Sequence, residues 1–182
     1  MWFTILKTTN FTYNKDAPKG RAIGRSRGTD DIEIGLPRWG EIIDNRNLSD
    51  KQVSEGIANT IQHEYTHIAT TQEFHSALKK LKKEMIMKDI NVKGNIEPYI
   101  IKFVNIMFMD EWMARAGMPK QEELFLTGQK SLQGYPKAYA NKFSRIMLID
   151  VISDEDYNNI IFPAVKREFD NLVNKYKQKL GI

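Results

Sequence analysis

Apolar positions along this 182-residue chain change rhythm near residue 50. Before it they fall in short extended patches; after it they recur every three or four residues, as the buried stripe of a helix does. Trp2 to Lys7, rich in aromatic and β-branched types, reads as a short strand. Asn10 to Gly28 is polar, is punctuated by Pro18, Gly20, Gly24 and Gly28, and reads as a loop or an irregular hairpin. Asp31-Ile32-Glu33-Ile34-Gly35-Leu36 alternates polar and apolar residues up to Pro37 and predicts a strand. Val53, Ile57, Ile61, Glu64 and Ile68 then mark one stripe of a helix over Asp50 to Thr70. Ser49 and Gln52 stand as a capping box at its start, and Asp50 suits the positive end of its dipole. The pair Thr70-Thr71 predicts a break, because β-branched residues weaken helix continuation.

A second helix, Gln72 to Lys88, carries Phe74, Leu78, Leu81 and Met85 on one face, and Asn91 to Asn95 with Gly94 is a turn. A third runs from Glu97 to Ala116 with Pro98 in its first turn, and stops at Gly117 before Pro119. Gln121 to Leu132, Pro136 to Ile152 and Asp154 to Leu180 follow, the last bent near Pro163 and opened by a Ser153/Asp156 capping box. Strands first and helices after predict an α+β fold, mostly helical. A small N-terminal strand region, a mixed sheet with an edge strand, is expected to pack on the residue 50–70 helix, with a helical C-terminal part beyond. One compact domain over residues 1–182 is expected, residues 1–95 holding the strand region and that helix and 96–182 the helical remainder.

Composition narrows the class. The 41% hydrophobic and 27% charged content is that of an ordinary globular protein. With no cysteine, disulfides and thiolate metal sites are excluded, and a reducing compartment suits the chain. Met1 to Leu6 is too short for a signal-peptide core and has no cationic flank. No apolar run approaches the ~18 residues of a membrane span, so a cytoplasmic location without a membrane partner is expected. The net charge of +4 is mild. A solvated helix face accounts for the run Lys79-Lys80-Leu81-Lys82-Lys83, and nucleic acid is not an expected partner.

The chemistry sits in one stretch. His63-Glu64-Tyr65-Thr66-His67 lies inside the residue 50–70 helix and holds two of the chain's three histidines. Four residues apart, they project from one face, where a single zinc ion can take both at about 2.0–2.1 Å. Glu64 follows the first histidine and is placed to act as general base on the attacking water. The bland reading of the same letters is two surface histidines and a solvated glutamate. Against it, His63 and His67 flank the apolar stripe, at the edge of a core.

A catalytic zinc takes three protein ligands and keeps one position open. Without cysteine, the third ligand falls to a carboxylate or to His75. Glu111 interrupts the otherwise apolar stripe Ile100, Phe103, Val104, Met107, Phe108, Ala114 and Met118. A carboxylate on a core face is costly unless paired or metal-bound, and Arg115 one turn on offers the pairing alternative. Glu73 and His75 compete for the role. On a straight helix rising ~1.5 Å per residue, Glu73 lies about 15 Å along the axis from His63, so both need a break at the threonines.

The motif, followed downstream by Asp110-Glu111-Trp112-Met113-Ala114-Arg115, resembles the gluzincin clan of the zincin metallopeptidases. The short chain resembles its small single-domain members, the minigluzincins. The resemblance covers residues 31 to 117 and is specific at the H-E-x-x-H. It implies a zinc-dependent endopeptidase acting on a peptide or protein substrate, with Zn2+ held by His63, His67 and Glu111 and Glu64 as the base. It also implies that the strand before the motif helix is a sheet edge that pairs with extended substrate. Many gluzincins carry an aspartate four residues after the glutamate ligand to orient a histidine. Here that position is Arg115, so Asp110 or a backbone carbonyl must serve instead.

The oxyanion donor stays open between Tyr135 and Tyr139, with His75 and Arg115 behind them. The DNA–protein crosslink proteases share the motif but use a third histidine at a spacing this chain does not supply. Two other classes remain. A non-catalytic zinc staple in a helical interaction protein would normally be closed by four ligands, mostly cysteine. A DNA-associated factor would use Arg21, Arg25, Arg27 and Lys79 to Lys83, and its binding would fall steeply with salt.

Overall fold

The computed structural model describes residues 10–14, 24–27, 31–35, 48–148 and 150–182. They fall into two compact units, Met1–Thr71 and Gln72–Ile182, divided inside a long helix.

In the first unit, β1 (Asn10–Asn14), β2 (Gly24–Arg27) and β3 (Asp31–Gly35) form a small sheet in the order β1-β3-β2. β1 runs parallel to β3 with Phe11 opposite Ile32, and β2 runs antiparallel to it with Ser26 opposite Ile32. The polar stretch read as a loop or hairpin therefore contributes two strands. The expected strand Trp2 to Lys7 lies outside the described residues.

Two parts of the expected fold are corrected here. β3 is the central strand, not an edge: both its sides are taken by β1 and β2, which leaves it no open row of N–H and C=O groups for an extended substrate. Nor is the fold an α+β layer with a mixed sheet packed on the motif helix. From residue 48 onward every described element is helical, and helix dominates the described residues. The physical reason is length: strands of five, four and five residues carry little of the chain beside the 38-residue helix that follows and the helices after it.

α1 (Asp50–Met87) is one helix of 38 residues, unbroken at Thr70-Thr71. The threonine hydroxyls donate back to the preceding turn, Thr60 to the Gly56 carbonyl at 2.9 Å, Thr66 to Gln62 and Thr70 to Thr66 at 3.0 Å. Their polar groups are thus satisfied within the helix. The propensity cost of a β-branched residue, up to about 0.7 kcal/mol, is small beside the burial of Tyr65, Ile68, Leu78, Leu81 and Met85 along it. Its N-terminus has the expected capping box: Ser49 N–H donates to Gln52 Oε1 at 2.9 Å, and Gln52 N–H donates to Ser49 Oγ.

The second unit is a helical assembly around α2 (Glu97–Met113). Ile100, Phe103, Val104 and Phe108 of α2 are fully buried, as the apolar stripe requires. α3 (Pro119–Thr127) and α4 (Gln129–Met147) meet at Gly128, several residues before the expected boundary, and buried Pro136 lies inside α4. α5 (Asp154–Asp156) runs through a π-helical turn, Tyr157–Ile161, into α6 (Phe162–Leu180). That turn absorbs Pro163, which sits in the first turn of α6 and has no N–H to donate. Ser153 Oγ accepts from Asp156 N–H at 3.0 Å, the second expected cap. α6 lies along α2 and α4, and Phe108, Phe125 and Phe169 pack edge to face or tilted between them, centroids 5.3–6.5 Å apart. Among the described residues, no helix is long and apolar enough to cross a membrane.

Candidate metal centre

Helical spacing brings His63 and His67 onto one face of α1. Their rings stand edge to face, centroids 4.7 Å apart at 85°, and the two Nε2 atoms approach to 3.1 Å. That separation suits a hydrogen bond between opposite tautomers. It is also close to the edge of a tetrahedron with Zn–N bonds of about 2.0–2.1 Å, which is about 3.3 Å. Both imidazoles are half-buried, and Glu64 beside them is 9% exposed. Glu64 is the one charged residue buried to that degree among the described residues.

On α2, Glu111 is held by its own neighbourhood. Arg115 Nη1 donates to Glu111 Oε2 and to the Glu111 backbone carbonyl, each at 2.6 Å. Tyr135 of α4 donates its hydroxyl to the same Oε2 at 3.0 Å, and Arg115 Nη2 donates to the Tyr135 oxygen at 3.1 Å. Burial, and behind it the Glu111 carboxylate, push the Tyr135 phenol up to about 12, against the pull of Arg115. Burial works against the Arg115 charge as well, but Tyr135 and Glu111 outweigh it and hold its pKa above the ordinary arginine value. Arg115 also lies over the Phe125 ring, 4.6 Å from its centroid. The salt bridge weighed as the structural role of Glu111 is therefore present.

The ligand atoms of His63, His67 and Glu111 all lie within 4.8 Å of one another, the one such group among the described residues. Glu73 and His75 are exposed and stand outside it. Because α1 does not break, the axial rise that separates them from His63 applies in full. Tyr139 is 2% exposed and donates to the Met107 carbonyl at 3.1 Å, and burial first of all drives its phenol well above the ordinary tyrosine range. Its hydroxyl is committed to the core. So is that of Tyr135, whose single proton goes to Glu111. The role of Tyr135 in aiming Glu111 had no signal in the sequence, since the two are 24 residues apart on different helices.

Two neutral imidazoles and a carboxylate are the nitrogen and oxygen donors that open zinc sites use, so this donor set fits the ion. No protein-family model matches the chain, and no match was found among curated proteins or solved structures.

Proposed function

We propose that this protein is a zinc-dependent metallopeptidase that hydrolyses peptide bonds, with His63, His67 and Glu111 as zinc ligands and Glu64 as general base. The observation that carries the reading is the convergence of the three ligand atoms within 4.8 Å, two of them on the helix that also places Glu64 next to the first. Zinc held there supplies a Lewis acid for the scissile carbonyl and lowers the pKa of the attacking water towards ~7.

The chain's own residues do the rest. His63 and His67 are fixed one turn apart by the helix, so the pair needs no loop ordering to form. Arg115 and Tyr135 limit the rotamers open to Glu111 by gripping its Oε2. Glu64 takes the proton from the water as it attacks and passes it to the leaving amine.

Glu64→Gln tests this directly. It should keep fold and zinc while turnover of a protein substrate falls by about 10²–10⁴. Equal turnover at equal zinc content would remove Glu64 as the base. The Glu111–Arg115 ion pair favours a second reading, in which the contact is purely structural and no metal is involved. In that case Glu111→Ala and Arg115→Ala would destabilise the fold alike and leave zinc content untouched.

A further inference from the structure

In the second unit, the C-terminal ends of α1 and α4 open on a cavity of about 590 Å³. This lies within the ~300–1,000 Å³ range of ligand and anchor pockets. Its floor is apolar, with Met85 and Met147 only 2% and 1% exposed. Its mouth is apolar too: Ile86 is 52% exposed and Val151 101%. Large apolar side chains gathered around a concavity and left in water mark an interaction site more often than scattered ones do.

The rim is acidic. Asp89, Asp150 and Asp156 line it against a single cation, Lys93. Among the described residues none of these three aspartates forms an ion pair, although the chain as a whole carries +4. The negative ends of two helix dipoles point the same way.

Asp89 closes α1 with φ +51°, its N–H donating to the Ile86 carbonyl at 3.1 Å and the Ile90 N–H donating to the Met85 carbonyl at 3.0 Å. Aspartate is among the few non-glycine residues that take this left-handed position.

We propose that this cavity docks a basic amphipathic helical segment of a partner protein, its apolar side chains against Ile86 and Val151 and its lysines or arginines over the aspartate rim. Charge complementarity selects this occupant. An acidic segment would meet three carboxylates, and a cation without an apolar face would leave Ile86 and Val151 in water.

Isothermal titration of the full chain with a short amphipathic helix of leucine and lysine tests this, beside its leucine–glutamate counterpart and spermine. The leucine–lysine peptide should bind one to one and weaken with added salt, the other two binding at least about tenfold less tightly. Asp89→Asn, which keeps a side chain tolerant of the left-handed position, should weaken it about two- to fivefold with Tm unchanged or raised. Ile86→Ser, at a half-exposed position, should weaken it about tenfold while the chain stays folded. Equal binding of the leucine–glutamate peptide or of spermine overturns the proposal. So does leucine–lysine binding that neither variant alters, or self-association through this face that the peptide does not displace.

Discussion

Arg115 Nη1 grips Glu111 twice, at Oε2 and at the backbone carbonyl, both at 2.6 Å. One guanidinium therefore fixes both the helical turn and the carboxylate on which the proposed metal centre depends. Arg115 is thus a cation aimed at the carboxylate proposed here as a metal ligand.

Removing that grip should cost both metal and fold. Arg115→Ala is expected to lower zinc affinity about 10–100-fold, the usual effect of losing a group that orients a ligand. It should also lower stability by about 1–3 kcal/mol, since the partly buried Glu111 oxygen loses its main donor. Competition titration and urea unfolding on the same sample read the two effects. Unaltered zinc binding in a destabilised protein would make the ion pair structural.

The two tyrosines should separate. Tyr135→Phe removes the hydroxyl that donates to Glu111 and should weaken zinc several-fold, at about 0.5–1.5 kcal/mol in stability. Tyr139→Phe removes a hydroxyl spent on the Met107 carbonyl, with a similar loss of stability and no change in zinc affinity or turnover. Loss of turnover in a stable Tyr139→Phe protein would return that hydroxyl to the chemistry.

α1 is a single piece, so a proline at its middle cannot be tolerated. Thr71→Pro removes an N–H from the helix interior and clashes with the His67 carbonyl, and should cost about 3 kcal/mol or more. Circular dichroism through a thermal melt would show it as a fall in Tm. A melt like that of the parent chain would mean a break at the threonines after all.

Both helix caps, the buried stripe of α2 and the histidine spacing were legible because each is a local pattern, set by residues three or four apart. The β1 and β2 strands were not, since Asn-Phe-Thr-Tyr-Asn and Gly-Arg-Ser-Arg pair across the chain with Asp31–Gly35 and carry little apolar signal of their own. The same non-locality hid β3's central place, and with it the loss of the expected substrate edge. α1 ran past Thr70-Thr71 because hydroxyls that favour a break in isolation found carbonyls one turn back. The α3–α4 boundary moved to Gly128 because Pro136 is accommodated inside a helix rather than at its start. Glu111 was legible as a carboxylate on an apolar face. What holds it was half legible: Arg115 by spacing, Tyr135 by nothing short of the fold.

The most direct measurement is zinc stoichiometry and affinity, by elemental analysis and chelator competition, on the parent chain, His63→Ala and Glu111→Ala side by side. The account predicts one zinc per chain in the parent, and tight binding lost in both variants while each remains folded. A parent chain that takes up no stoichiometric zinc, or variants that hold it as tightly as the parent, would contradict the metal centre and the peptidase built on it.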